Sequence, residues 1–556
     1  MGHAIEDVEA IEANALPEAQ YKDASLPPWR FWLLSVGLCL GLFLSMLDAS
    51  IVATSLYTIG GEFNSLDRIN WVALAYTLTY LSCAVLVARI SDVVGRHDAF
   101  LASFVVFFAF SLGCGFSQSL DQLIVCRALQ GLGGSGLYSI TMTIFAEVTP
   151  KHLLQHISSL VGMVVASAGV LGPLLGGVLT HYTSWRWIFW INGPIGFVAI
   201  AVFYSTWPDA KFLPTLQRRS WKELDFVGFT LLVAASVLVV FSFQNVGSDG
   251  QKWHQDVFIV PVTIGGFCFI LLVGWETLVA KFWNSRLMAA IPIRLLRNHV
   301  YLATIFHTMF LGFPYLLVVY SFPLHLQVVN GQSSLLAGVL LLPMLGSVAL
   351  GTTVGGLVNK NRNLLFETMV VASCFSALGY GLLTTLSSSV ELEPKALGFL
   401  TFTGFGFGLS ATASTIIGTT ESEIPDHAPS QAIVAQVRIL GGSLGIAAST
   451  AILGNSIREE LAGGGMRPEQ LSSLHGSRMN LTESQVTALR QVYADSFRKD
   501  MQVCAILSGI SMLIGLGVYR RNRVTIEEQR QLHIRKEVER RRRASAATTL
   551  MSSSTE

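Results

Sequence analysis

Residues 88–97 read ARISDVVGRH and lie between two long apolar stretches near 70–88 and 98–117. Each stretch supplies about the 20 apolar residues that a helix needs to cross a bilayer. These ten residues concentrate three basic or acidic side chains and a histidine around Gly95, which permits a tight turn. The sequence therefore predicts two membrane-spanning helices joined by a short charged loop.

The composition extends this reading to the whole chain. Of 556 residues, 51% are hydrophobic and 13% are charged, and the mean hydropathy is +0.53. Soluble domains carry about 25% charged residues, so a soluble enzyme, a disordered regulator and a disulfide-stapled secreted domain are excluded. The net charge of +1 offers no basic surface for nucleic acid. A polytopic membrane protein remains.

Hydrophobic windows predict fourteen spans with both ends of the chain on the same side. They lie near 31–58, 70–88, 98–117, 120–146, 156–180, 187–207, 224–246, 256–280, 299–325, 334–358, 364–386, 395–418, 430–456 and 501–519. Lysine and arginine are concentrated in alternate loops, and the positive-inside rule then places both termini in the cytoplasm.

Three segments outside the spans carry separate expectations. The first, 1–30, is an acidic cytoplasmic tail, which does not resemble a cleaved signal peptide. The external loop 457–500 contains Asn480, in an acceptor pattern for N-glycosylation. The tail 520–556 is basic and is read as a cytoplasmic stop-transfer anchor, with attachment to anionic lipid as the alternative.

The charged loop after the second span resembles the signature loop of the major facilitator superfamily, GxLaDrxGrk. It keeps Asp92, Gly95 and Arg96, whereas Ala88 and His97 depart from the pattern. Asp92 can accept hydrogen bonds from a neighbouring helix N-terminus, and Arg96 can pair across a cytoplasmic gate. These three residues are the expected gate motif.

Three further patterns occur in the order that this family has. The fourth span contains RALQGLG from Arg127, similar to the element RxxqGxg, and WRWIFWINGP from Trp185 looks like the WRWiFxiN segment of fourteen-span drug:proton antiporters. The fifth span resembles the antiporter element GxxxGPxxGG, one residue shorter, at Gly169, Gly172, Pro173, Gly176 and Gly177. Together the patterns are most similar to those of fungal efflux pumps for drugs, secondary metabolites or toxins.

The resemblance implies an all-α membrane protein with the major facilitator fold. Its two six-helix bundles would occupy 31–207 and 299–519, and 208–298 would hold cytoplasmic loops with two additional helices. Rocking of one bundle against the other would give alternating access.

Two ionisable residues lie deep within predicted spans, Asp48 in the first and Arg127 in the fourth. An ionisable side chain at membrane depth is a functional-site hypothesis by default. We expect Asp48 to take up and release the coupling proton while Arg127 tunes its affinity; the alternative is a permanent ion pair that locks the bundle. Arg438 and Glu367 are expected near the cytoplasmic gate.

Substrate contacts are expected from apolar and amide side chains, each of which could equally be ordinary helix packing. The candidates are Tyr76, Gln130, Tyr315, Tyr320, Gln327, Phe405 and Phe407. The seven cysteines fall inside spans without CxxC spacing, so neither a metal site nor a disulfide framework is expected.

The sequence thus predicts a proton-coupled exporter of hydrophobic or amphipathic small molecules rather than an enzyme. No Walker motif is present, so the proton gradient, with no cofactor, is the expected energy source. The expected partners are the substrate, protons and membrane lipid, without nucleic acid, for a monomer in the plasma membrane or, alternatively, the vacuolar membrane. An amino-acid or siderophore transporter of the same fold and a non-transporting membrane sensor remain as alternative functions.

Overall fold

The computed structural model describes most of the chain between residues 27 and 529, and what it describes is helical. The described residues are 27–65, 68–149, 154–208, 220–247, 255–283, 287, 289–291, 293–359, 362–387, 391, 393–422, 427–463, 483–521, 525–526 and 528–529.

Fourteen long helices run through these residues. They are α1 (Pro28–Ile51), α2 (Asn70–Val94), α3 (Arg96–Phe116), α4 (Leu120–Val148), α5 (Leu154–Tyr182), α6 (Asn192–Thr206), α7 (Phe226–Gly247), α8 (Asp256–Leu278), α9 (His299–Val328), α10 (Leu342–Asn359), α11 (Leu365–Leu383), α12 (Lys395–Thr420), α13 (His427–Gly463) and α14 (Glu483–Gly515). Short helical turns extend α1 to Thr54 and precede α6 (Trp187–Trp190) and α10 (Ser334–Leu340).

Thirteen of the helical segments in the described part of the chain are long and apolar enough to cross a membrane. The remaining helix, α4, is 29 residues long, but Arg127, Gln130 and several glycines lower its hydropathy. It packs between α2 and α3 along its length, and it completes the fourteen-span architecture.

The helices form two bundles. Helices α1–α6 pack on one another, and α9–α14 do the same. We call the end of the molecule where α1 begins the proximal end and the end where α1 finishes the distal end. Glycines set the closest helix contacts within each bundle. A Cβ on Gly131 would lie 2.5 Å from the carbonyl oxygen of Tyr76, and one on Gly441 would lie 2.1 Å from that of Met309. Small residues at these points let the backbones approach in lipid.

Helices α7 and α8 form a hairpin that connects the bundles, and α7 lies along both α2 and α13. The ring of Phe241 lies 5.8 Å from that of Trp71 near the distal end of α2. Near the proximal end, Phe229 packs in a cluster with Val85 and Val93. Helix α7 therefore covers the seam between α2 of one bundle and α13 of the other along much of its length.

The last helix begins much earlier than the hydropathy windows indicate. The sequence predicts a loop over 457–500, whereas α13 continues to Gly463 and α14 begins at Glu483. Polar side chains lower the hydropathy of this first half of α14, yet Val492 and Phe497 are buried against the second bundle. The loop boundaries were therefore wrong. Asn480 lies outside the described residues, as do most of the tails 1–30 and 520–556.

Candidate functional site

A buried ion pair joins α1 to α4 in the first bundle. Arg127 donates from Nη1 to Oδ2 of Asp48, and both residues are 0% exposed. At 1.5 Å per residue, Asp48 lies about 9 Å from the distal end of the α1 segment and Arg127 about 10 Å from the start of α4. The structure thus brings together the two ionisable residues that the sequence singles out at membrane depth.

Amide side chains complete the coordination of the carboxylate. The Nδ2 group of Asn192 donates to Oδ1 of Asp48 at 3.1 Å, and Nε2 of Gln130 donates to the same oxygen at 3.0 Å. Arg127 in turn donates from Nε to the carbonyl oxygen of Val72 at 3.0 Å. Asp48 therefore receives hydrogen bonds from α4 and α6, and charge-assisted bonds of this kind are the stronger ones in proteins.

Asn192 is a member of this network that the sequence analysis did not assign. It lies at the end of the WRWIFWIN segment and also donates to Oγ of Ser111 on α3 at 2.9 Å. The same segment anchors the distal surface, because Nε1 of Trp185 and Nη1 of Arg186 both donate to Glu62. The motif was visible in the sequence, but its contact with Asp48 spans 144 residues and was not.

The stretch of α1 that carries Asp48 also contacts the second bundle. Tyr320 of α9 donates from its hydroxyl to the carbonyl oxygen of Ala49 at 2.5 Å, and Gln327 donates to that of Thr54 at 3.4 Å. Asn70 donates to Oγ1 of Thr450 at 2.5 Å. These three hydrogen bonds between the bundles lie towards the distal end, so the bundles are closed there.

The antiporter element on α5 lies at the same seam. A Cβ on Gly177 would lie 2.6 Å from the carbonyl oxygen of Ser334, and one on Gly338 would lie 2.4 Å from that of Pro173. Gly172 and Gly176 instead face α1, where a Cβ would meet Ser50 and Ile51, whereas Gly169 has open space beside it. The element therefore packs α5 between α1 of its own bundle and the start of α10.

The charged loop between α2 and α3 lies at the proximal end, and its charged side chains contact one another. Asp92 pairs with Arg96 and lies 3.7 Å from Nη1 of Arg89, and Arg96 also donates to the carbonyl oxygen of Ala88 at 3.3 Å. Gly95 has φ of 114°, a conformation that side chains other than glycine rarely adopt. These contacts hold the turn from α2 into α3.

The predicted substrate residues fall into separate groups. Tyr76 and Gln130 are fully buried beside Asp48, where the hydroxyl of Tyr76 donates to the carbonyl oxygen of Ser45 at 2.7 Å. Tyr320 and Gln327 join the bundles, as described above. These four residues are engaged in the fold and in the contact between bundles.

Tyr315 and Phe407 lie together, whereas Phe405 does not join them. The rings of Tyr315 and Phe407 are stacked with centroids 3.7 Å apart and planes 4° apart. Phe405 lies two residues from Phe407 on α12 and therefore faces another way, 5.1 Å from the ring of Phe375 within the second bundle. Tyr315 and Phe407 therefore form one aromatic pair, and Phe405 is not part of it.

A second buried carboxylate lies in α14. Asp500 is 2% exposed and accepts a hydrogen bond from Oγ of Ser449 at 2.5 Å, and its Oδ1 atom has no hydrogen-bond partner among the described residues. Position 500 is the last residue of the predicted loop 457–500. The early start of α14 moves it inside a helix.

Comparisons with known proteins agree with this architecture. The sequence model of the Major Facilitator Superfamily matches residues 38–450. The chain is 32% identical over 499 residues to the MFS-type transporter FPY5 of Fusarium mangiferae, covering 87% of this chain and 83% of that protein. It is 27% identical over 481 residues to the aspyridones efflux protein of Neocamarosporium betae, covering 85% and 83%.

Among solved structures, the fold is similar to the crystal structure of a bacterial homologue of the human lysosomal transporter Spinster in an inward-facing, unoccupied conformation. The TM-score is 0.59 at 15% sequence identity, and the match covers 90% of this chain and 100% of that one.

Proposed function

This chain belongs to the major facilitator superfamily, and from that premise we propose that it exports hydrophobic or amphipathic small molecules in exchange for protons. The observation that carries the proposal is the buried pair of Asp48 and Arg127. Ionisable groups inside membrane helices are costly and mark ion or proton pathways.

The proton and the hydrogen-bond donors around Asp48 compete for the same carboxylate. Arg127, Gln130 and Asn192 all donate to the carboxylate, which stabilises its charged form. A proton that binds Asp48 removes the partner charge of Arg127 and leaves a buried cation without compensation. Breaking a buried ion pair in this way costs about 3–5 kcal/mol, which is enough to favour a rearrangement of the helices.

The rearrangement would reach the second bundle through α1. Ala49, next to Asp48 in the chain, accepts the hydrogen bond of Tyr320, and Thr54 accepts that of Gln327. A change in the charge of Asp48 would therefore act on the contacts that close the distal end. In the proposed cycle, substrate binds while Asp48 is deprotonated, the distal end opens, and a proton from that side binds Asp48 as the substrate leaves. The protonated protein then closes its distal end and releases the proton at the proximal end, so a proton moves in as the substrate moves out.

The proposed orientation follows from the distribution of positive charge, which places the proximal end and both termini in the cytoplasm. Distal closure then corresponds to a state that accepts substrate from the cytoplasm. We assign the protein to the plasma membrane, with the vacuolar membrane as the alternative, and propose no cofactor other than the proton gradient.

Support for export comes from the antiporter element and from relatives. Pro173 and Gly177 lie at the seam between the bundles, where an antiporter must open and close. A relative along most of the chain is named as an efflux protein for aspyridones. We therefore propose a drug or secondary metabolite as the substrate.

The test uses purified full-length protein in sealed proteoliposomes with an imposed pH gradient. Transport of labelled tetraphenylphosphonium and of the fluorescent acid pyrene-1-butyrate is followed, with protein-free liposomes correcting for leakage. We expect Asp48→Asn to abolish gradient-driven transport of whichever probe is carried. The matched control is Asp121→Asn, which removes an exposed carboxylate paired with Arg68 at the distal surface. Transport that is unaffected by the gradient, or unchanged in Asp48→Asn, would refute proton coupling at this site.

A further inference from the structure

One arginine between the bundles has no carboxylate partner within the described residues. Arg438 lies on α13, 11 residues after its start at His427, or about 16 Å into the helix. Its side chain is half-buried and donates from Nη2 to Oγ of Ser414 at 2.9 Å. This contrasts with Arg127, whose charge is compensated by Asp48.

Aromatic side chains lie near the guanidinium of Arg438. Its Cζ atom lies 5.9 Å from the centre of the Phe407 ring, which is stacked on Tyr315. The hydroxyls of Tyr315 and Tyr138 are within electrostatic range of the charge. Arginine on an aromatic face gains a cation–π interaction, but this does not replace a counter-ion.

These groups come from both bundles, and Arg438, Tyr315 and Tyr138 are each partly exposed. Tyr138 lies on α4 of the first bundle, whereas Tyr315, Phe407 and Arg438 lie on α9, α12 and α13 of the second. Helices α4 and α13 touch across the seam, and both Tyr138 and Tyr315 are half-buried although they lie far from the helix ends. A molecule bound here would contact the two elements that move against each other.

We infer that Arg438 and the stacked pair of Tyr315 and Phe407 bind an organic acid with a planar aromatic body. The carboxylate pairs with the guanidinium, which presents parallel N–H donors to two oxygens. The aromatic body lies against the exposed part of Tyr315, which Phe407 supports from behind, and Tyr138 faces it from the other bundle. This inference rests on the proposed function and narrows the substrate class from hydrophobic compounds in general to aromatic acids.

Equilibrium binding to the full-length protein tests the inference. The protein is placed in nanodiscs of phosphatidylcholine, so that the lipid supplies no net anionic headgroup. Pyrene-1-butyrate is compared with its uncharged amide, which has the same body without the charge. Hydrogen bonds to a charged group contribute about 1.5–3 kcal/mol, so Arg438→Gln should weaken binding of the acid about 10- to 150-fold. Binding of the amide should change little.

Two further variants separate loss of charge from loss of fold. Arg438→Lys keeps a cation without the planar fork and should give an intermediate affinity for the acid. Arg498→Gln removes an exposed arginine from α14 and should leave both affinities unchanged. Failure of the wild type to prefer the acid, or equal weakening of acid and amide by Arg438→Gln, would overturn the inference.

The outcomes also distinguish this inference from the proposed function. An acid preference that depends on Arg438 without gradient-driven transport would refute proton-coupled export and keep the binding site. Gradient-driven transport of tetraphenylphosphonium without any acid preference would keep the transporter and refute the site. Addition of phosphatidylglycerol to the nanodiscs, with competition against pyrene-1-butyrate, would identify a lipid headgroup as the anion instead.

Discussion

Substitution of Gly177 by alanine is expected to force the bundles apart at the distal end. The added Cβ would lie 2.6 Å from the carbonyl oxygen of Ser334 and 2.9 Å from Cα of Leu335. Both atoms belong to the backbone before α10, so no side chain can rotate away. The clash is relieved only when α5 and α10 separate.

The size of the effect follows from the cost of overpacking. Inserting a methyl group into a well-packed interface costs about 1–3 kcal/mol. Since the clash exists only while the distal end is closed, the whole cost falls on that state. The ratio of closed to open molecules should therefore fall about 5- to 150-fold.

Distance measurement between spin labels can detect this shift. Labels are placed at Tyr182→Cys and Thr385→Cys, exposed distal positions in the two bundles, with the native cysteines replaced. The Gly177→Ala variant should increase the population at long distance in double electron–electron resonance. The expected direction is the same with and without the pH gradient.

Two neighbouring glycines provide matched controls. Gly169→Ala adds the same methyl group to α5 where nothing lies within 4 Å, and should leave the distances unchanged. Gly176→Ala would place its Cβ 2.2 Å from the carbonyl oxygen of Ile51, within the same bundle, and should lower thermal stability without shifting the distances. An unchanged distribution in folded Gly177→Ala, or an equal shift in Gly169→Ala, would show that Gly177 does not control the distal contact.

Three other predictions concern single residues. Asn192→Ala removes a hydrogen-bond donor to buried Asp48 and should lower the free energy of unfolding by about 1–3 kcal/mol. Thermal unfolding in detergent measures this loss, and an unchanged stability would show that another group satisfies the carboxylate. Gly95→Ala places a side chain at φ of 114° and should cost about 1–3 kcal/mol in the same assay, whereas Gly356→Ala in open helical space should be neutral. Asp500→Asn should retain gradient-driven transport in proteoliposomes, and loss of coupling there would move the proton site from the first bundle to the second.

The sequence was sufficient for much of the helical architecture because bilayer thickness imposes long apolar runs that are read directly. Its one large error, the start of α14, has a physical cause. Residues 483–500 alternate charged and apolar side chains, which depresses the average hydropathy, while Val492 and Phe497 bury an apolar face against neighbouring helices. Averages over a window do not detect burial on one face only.

Site residues were predictable where the free-energy cost of burying a charge in the membrane identified them. They were not predictable where their role depends on which residues they contact. Asp48 and Arg127 were recognisable because a charge at membrane depth is costly and is a functional-site hypothesis by default. Asn192 and Arg438 depend on contacts between distant segments: the first gains importance from Asp48, and the second from the absence of a carboxylate among its described neighbours. Which neighbours Asn192 and Arg438 face depends on the rotation of their helices about the helix axis. The sequence of a uniformly apolar span carries little information about that rotation.

The position of α7 bears on where the space between the bundles can open towards the lipid. Helix α7 lies along α2 and α13, so on one side of the molecule it covers the seam between the bundles along much of its length. On the other side, α5 meets the short helix before α10 through Gly177 and Gly338, where backbone lies against backbone. Parting of the bundles at the distal end would therefore open a lateral passage at these two glycines, through which a released compound would pass into the bilayer and lipid tails would enter.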